Sequence, residues 1–210
     1  MTTAGVKVAY HISRFLLWVL LTCWNRLSVK GAENIPHRSG RFIIAPNHTS
    51  YLDPPIIGAA LWRQMVFLAK DRLFKIPVLG LFLHSVGVMP VDTNNDAGSL
   101  RRAVKMLKSG LPITIFPEGT RAPSGDFLEG KPGIAFLAHM AQAPIVPCYI
   151  SGAREAMGRG QRWIRPSKIR AIFGEPVEVR LADGEQKMDA YRRTAAEVMK
   201  RIADLKATIE

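Results

Sequence analysis

The chain of 210 residues is long enough to bury one sizeable core, and no Gly/Ser-rich or low-complexity linker splits it into comparable halves. Lys plus Arg outnumber Asp plus Glu by 29 to 17, a net charge of +12 that favours anionic partners: nucleic acid, a membrane surface or a phosphorylated small molecule. The two cysteines, Cys23 and Cys148, have no metal-ligand spacing and are too few for a disulfide framework; together with the lack of any internal repeat, this excludes zinc-ribbon, disulfide-scaffold and solenoid classes.

In chain order, the first signal is residues 15–21, FLLWVLL, which are apolar on every helical face. A membrane span needs about 20 apolar residues. Here His11 and Arg14 bound the run on one side and Asn25 and Arg26 on the other, so the reading is a helix lying in or re-entering a membrane surface. A helix buried against the domain, or a targeting or spanning segment, stays open as an alternative. The scattered Lys7 and Arg14 and the lack of a small-x-small cleavage site disfavour a signal peptide, and Thr22 is a poor fit to a lipoprotein cleavage box before Cys23.

Continuous apolar runs then recur at 42–45, 66–69, 86–89, 113–116, 145–150 and 169–173, as expected of buried strands. Helical patterns fall between them. Residues 96–108 place Leu100, Ala103, Val104 and Leu107 at i, i+3, i+4 and i+7, with Gly110 beyond as a stop, and a second helix is expected over 132–140. Near the C-terminus Met188, Tyr191, Ala195, Val198, Ile202 and Leu205 recur three and four apart on one helical face. Strands alternating with helices predict an α/β fold: a mostly parallel central sheet flanked by helices, with an N-terminal membrane-associating helix. The units expected are that helix over 1–26, an α/β domain over 27–180, and a C-terminal amphipathic helix over 181–210 packed on the domain. Reactive residues should gather where strands end and helices begin.

Two strand ends carry chemistry. After the first run comes APNHTSYLDPP, residues 45–55, with His48 and Asp53 five apart. In one regular helix they would stand about 140° apart. The prolines instead predict a helix that starts at Pro54 with Asp53 as its cap, leaving His48 in a loop that can curl back to the carboxylate. An imidazole so held presents one nitrogen as acceptor and can act as a general base toward a hydroxyl. The bland alternative is that Asp53 only caps and His48 only satisfies loop carbonyls.

After the fourth run comes FPEGTR, residues 116–121: Gly119 admits close backbone approach, Thr120 offers a hydroxyl, and Arg121 a planar fork suited to phosphate oxygens. Glu118 would repel a phosphate, so it is expected to position Arg121 or a substrate hydroxyl. A turn with a solvated arginine is the rival reading. Lys131 precedes the next helix and can add a cation and a helix N-terminus near the same anion. Further on, residues 153–170 hold Arg154, Arg159, Arg162, Arg165, Lys168 and Arg170 around Trp163, a segment suited to anionic lipid, to the phosphates of a nucleotide, to an acidic protein, or simply to solvent. No nucleic-acid partner is expected, because no recognised binding motif accompanies the charge.

NHTSYLD at 47–53 and FPEGTR at 116–121 resemble the first and third motifs of the glycerolipid acyltransferase family, typified by 1-acyl-sn-glycerol-3-phosphate acyltransferases. AKDRLFKIPVLG at 69–80 resembles its connecting segment, and APIVPCYISG, from Ala143, resembles its fourth motif. The likeness covers roughly 27–179. It implies a membrane-associated enzyme at the cytoplasmic face that moves an acyl group from acyl-CoA or acyl-carrier protein to the free hydroxyl of a lysophospholipid acceptor, with no cofactor. By that likeness His48 is the base, Asp53 orients it, and Glu118, Gly119, Thr120 and Arg121 bind the acceptor's glycerol phosphate, while neither cysteine is needed. One departure is GVMPVDT at 87–93, which ends in Asp92 and Thr93 where family members commonly carry an arginine that helps hold the acceptor; Arg101 or Arg102 is the candidate substitute. Another lyso-lipid acceptor, such as a lyso-ornithine lipid, or a non-catalytic lipid-binding module are the alternatives. Pro54 and Pro55 remove two helix N-terminal donors, which moves the expected oxyanion donors to another loop, near Val146 and Pro147.

Overall fold

Seven short strands form one sheet in the order β1-β7-β6-β2-β5-β3-β4, and side chains alternate along them between its two faces. The structure, a computed structural model, describes residues 3–36, 40–61, 63–91, 96–122, 126–158 and 160–209. Along the chain run α1 (Thr3–Asn25), β1 (Ser28–Lys30), β2 (Ile43–Pro46), α2 (Asp53–Ala60), β3 (Val66–Lys70), α3 (Asp71–Phe74), α4 (Pro77–Ser85) and β4 (Met89–Val91). They are followed by α5 (Asp96–Lys108), β5 (Ile113–Thr114), α6 (Gly133–Ala141), β6 (Ile145–Ser151), α7 (Ala153–Met157), β7 (Arg170–Phe173) and α8 (Lys187–Ala207). β2 to β6 are mutually parallel; β7 runs antiparallel to β6 and β1 parallel to β7.

The period-two alternation splits the core. Phe42 and Ile44 join Leu21 of α1, Ile56 and Ile57 of α2, and Val146 and Cys148 of β6 on one face. Ile43 and Ala45, one residue out of phase, join Leu107 of α5, Ile134 and Leu137 of α6, and Val198 and Ile202 of α8 on the other. Each such fully buried aliphatic side chain contributes about 1.5–3 kcal/mol, and truncating Ile44 or Ile56 to alanine would cost about 2–5 kcal/mol. The apolar face of α8 covers β6 and α6, burying Ala190, Tyr191, Ala195 and Val198.

Two strand expectations shift, and one strand is unexpected. The run at 86–89 does not form a strand throughout: Val86 N–H donates to the Phe82 carbonyl, Gly87 at φ 74° ends α4, and β4 begins only at Met89. β5 stops at Thr114 rather than continuing to Phe116, whose ring is used at the strand's end as described below. β1, three residues long, escapes any periodicity reading. Asp92, Thr93 and Arg159 lie outside the described residues.

Candidate active site

β2 and β5 are adjacent parallel strands, so the loops that leave their C-terminal ends lie side by side. The β2 loop leads to α2 on one face of the sheet, and the β5 loop leads to α6 on the other. The crevice between two loops that diverge to opposite faces is the place where an open α/β sheet binds its ligands. Both motif segments are at this one crevice.

Asn47 fixes the first loop. Where β2 ends at Pro46, its buried amide continues the ladder: Ile150 N–H donates to Asn47 Oδ1 at 2.7 Å, and Asn47 Nδ2 donates to the Ile150 carbonyl at 3.1 Å. Ser50 locks the next turn, donating through Oγ to the Met157 carbonyl at 2.6 Å and accepting from Leu52 N–H at 3.0 Å. Between these anchors His48 turns toward Asp53, its Nδ1 donating to Asp53 Oδ2 at 2.8 Å. The same oxygen accepts Thr49 N–H at 2.7 Å and Ser50 N–H at 2.8 Å. An acceptor-only carboxylate on Nδ1 leaves Nε2 as the imidazole's free acceptor.

Asp53 is not the helix cap that the sequence suggests. α2 starts at Asp53 itself with Leu52 before it, and no side-chain cap bond is made. The prolines are the reason: a cap at Asp53 would need the N–H of residue 55 or 56, but Pro55 has none, and Ile56 N–H already donates to the Leu52 carbonyl at 2.8 Å. The carboxylate therefore turns back to the free donors upstream, and orients the imidazole in doing so.

The second loop is fastened to the first at three points. Glu118, 2% exposed, accepts His48 N–H on Oε1 at 2.8 Å and Leu128 N–H on Oε2 at 3.1 Å. Ala122 N–H donates to the His48 carbonyl at 2.8 Å. The Phe116 ring stacks on the imidazole, centroids 3.9 Å apart at 23°. Burial pushes the Glu118 carboxyl above its usual range, opposed by its two backbone bonds and by His48.

Gly119, at φ 69°, makes a turn that few other residues could adopt. The Lys131 side chain lies over it, so that a Cβ there would fall 2.9 Å from Lys131 Nζ. Gly119 and Thr120 are exposed. Arg121 stacks its guanidinium on the Tyr51 ring, Cζ 3.6 Å from the centroid, and its buried Nη1 has no hydrogen-bond partner among the described residues. The crevice thus holds a carboxylate-held imidazole with two cations flanking an exposed glycine turn.

Other expectations fare differently. Arg102 donates to the Pro90 carbonyl at 3.4 Å and to Ser99 Oγ at 3.2 Å, at the end of β4, while Arg101 is exposed on α5. Val146 and Pro147 do not form a loop: they lie within β6, paired with Ile44 and Ala45, which removes them as oxyanion donors. Sequence reasoning passed over Asn47, Tyr51 and Phe116. Their only signal was position, immediately beside the reactive residues.

A family model described as acyltransferase matches residues 26–151. The 1-acyl-sn-glycerol-3-phosphate acyltransferase of Bacillus subtilis is 32% identical over 170 residues, which cover 80% of this chain and 82% of the relative. A chloroplast protein of the same name from Arabidopsis thaliana is 28% identical over 181 residues, and there the chain spans 51% of the relative's length. Among solved structures, the 1-acyl-sn-glycerophosphate acyltransferase of Thermotoga maritima superposes with a TM-score of 0.75 at 29% identity, over 96% of this chain and 80% of that one.

Proposed function

The chain belongs to the acyltransferase family, and from that premise we propose that it acylates the free hydroxyl of 1-acyl-sn-glycerol 3-phosphate to give phosphatidic acid, with acyl-CoA or acyl-carrier protein as donor. The observation that carries the reading is the 2.8 Å bond between His48 Nδ1 and Asp53, in a crevice that also holds Arg121 and Lys131.

His48 Nε2 takes the acceptor's hydroxyl proton as that oxygen attacks the thioester carbonyl. A carbon–oxygen bond forms, and the carbonyl π electrons move onto its oxygen. Collapse restores the carbonyl and breaks the carbon–sulfur bond, and the leaving thiolate takes the proton from the imidazolium. The charge that appears on His48 midway is matched by Asp53, whose side chain is fully buried. No cofactor enters these steps.

An acyl-enzyme on cysteine has little support. Burial pushes the Cys148 thiol far above its usual range, and the thiolate is the form that attacks. Cys23 lies on the exposed side of α1. Arg121, with a buried nitrogen that has no partner among the described residues, and Lys131 are the groups that receive the acceptor's phosphate, and Gly119 and Thr120 supply the open turn between them.

The same reading places the enzyme on a membrane at its cytoplasmic face, where thioester donors and lipid acceptors meet. α1 buries Tyr10 and Leu21 against the domain but leaves Val8, Ile12, Phe15, Leu16 and Val19 exposed. α4 packs on α1 and adds exposed Ile76, Val78, Leu81 and Phe82, with Lys70, Arg72 and Lys75 beside them. Among the described residues no helix is long and apolar enough to cross a membrane, which fits a surface-lying attachment. The exposed Trp163, among Arg162, Arg165 and Lys168, suits the same interface.

The test is thiol release from acyl-CoA with and without lysophosphatidate, beside lysophosphatidylcholine and a lyso-ornithine lipid. The expected result is release that depends on lysophosphatidate and falls about 10²- to 10⁴-fold in His48→Ala, with the variant still folded. Transfer at near wild-type rate in that variant, or a preference for a phosphate-free acceptor, would refute the proposal.

A further inference from the structure

Tyr51 occupies an unusual place. The neighbours on either side are buried and hydrogen-bonded in the loop, Ser50 to Met157 and Leu52 to Ser50, so the direction in which residue 51 projects is fixed. Yet the residue itself is 51% exposed. What the face of its ring does contact is the Arg121 guanidinium, with Cζ 3.6 Å from the centroid.

The two residues come from different loops, which also meet at His48 and Glu118 and at His48 and Ala122. A guanidinium stacked by its face keeps its N–H donors free in the plane of its edge. One of those donors, the buried Nη1, has no hydrogen-bond partner among the described residues. Without a shelf a long arginine at a loop end samples many rotamers, most of which misalign the fork for two phosphate oxygens.

We infer that Tyr51 is a positioning residue for acceptor recognition: its ring holds the Arg121 guanidinium so that the edge donors face the acceptor's phosphate. The inference rests on the proposed acceptor, and it extends the phosphate site to a residue that touches no substrate. The ring face is what acts, so phenylalanine or tryptophan should serve and leucine should not. A stacked cation of this kind corresponds to roughly 3- to 30-fold in affinity.

The experiment is steady-state kinetics with lysophosphatidate varied at saturating acyl-CoA, for wild type, Tyr51→Leu, Tyr51→Phe, Tyr51→Trp, Arg121→Ala and the Tyr51→Leu/Arg121→Ala pair. Expected are a roughly 3- to 30-fold rise in acceptor KM for Tyr51→Leu, with kcat and donor KM within about twofold of wild type, and near wild-type constants for the phenylalanine and tryptophan variants. Adding Tyr51→Leu to Arg121→Ala should change acceptor KM no further. An unchanged KM in Tyr51→Leu, a loss in Tyr51→Phe equal to that in Tyr51→Leu, or additive losses in the double variant would overturn the inference. Inactivity of the wild type on lysophosphatidate would instead refute the proposed function, so the two failures are distinct.

Discussion

Replacing Asp53 by asparagine separates charge from geometry at the base. All three hydrogen bonds of the carboxylate converge on Oδ2, from His48 Nδ1 at 2.8 Å, Thr49 N–H at 2.7 Å and Ser50 N–H at 2.8 Å. Oδ1 is buried and has no hydrogen-bond partner among the described residues. An asparagine with its oxygen at the Oδ2 position keeps every one of these bonds and places its NH₂ where Oδ1 was, exchanging one unpaired buried polar group for another at little net cost to the fold. What disappears is the negative charge facing an imidazolium in the transition state. Two unit charges about 4 Å apart at an effective dielectric of about 20 interact by about 4 kcal/mol, and partial screening lowers this toward about 2. Asp53→Asn should therefore lower kcat roughly 30- to 1,000-fold with acceptor KM little changed. Single-turnover thiol release at saturating lysophosphatidate measures the chemical step, and thermal melting reports the fold. Asp53→Ala is the contrasting variant, because it leaves the Thr49 and Ser50 donors without their acceptor and should melt lower than Asp53→Asn. Activity within threefold of wild type in a folded Asp53→Asn enzyme would refute the charge argument.

Two further outcomes follow from the loop and the surface. Asn47→Ala orphans the buried N–H and C=O of Ile150, at about 1–3 kcal/mol each, so the melting temperature should fall on the order of 10 °C; a fall below about 2 °C would show that the ladder continuation through Asn47 is dispensable. Val78 is 84% exposed, so Val78→Glu/Leu81→Glu should leave melting unchanged, yet lower co-sedimentation with vesicles containing one-quarter phosphatidylglycerol by at least about tenfold; unchanged partition would remove α4 from the membrane-facing surface.

The parts of this molecule that could be read from sequence are those encoded over a few residues. α5 occupies 96–108 because its apolar stripe and following glycine are local signals, and His48 and Asp53 are close enough in sequence to suggest their contact. The alternation of apolar runs and helices was sufficient for a mostly parallel sheet, though not for β7, whose reversal depends on pairing with β6. Harder to read were choices made between distant segments. Whether Phe116 continues a strand or stacks on an imidazole depends on a residue 68 positions earlier, brought near only because β2 and β5 pair. Asp53 differs in kind: the prolines do mark the first turn of α2, but Pro55 also withholds a donor from the carboxylate, which therefore makes no cap.

Glu118 resolves a difficulty that the linear motif raises, namely an acid placed beside groups that should bind a phosphate. Its side chain turns inward, and each carboxylate oxygen accepts one backbone N–H, one from each side of the crevice. Glutamine could not take its place without loss, since an amide offers one acceptor oxygen for two donors. The burial that this role requires costs solvation, which is why the carboxyl is shifted above its usual range despite those bonds. With Glu118 only 2% exposed, the charged side chains placed beside Gly119 and Thr120 include the cations Arg121 and Lys131. The acid in the motif is thus turned away from the exposed glycine turn, and one of the two bonds that hold it also anchors the His48 main chain.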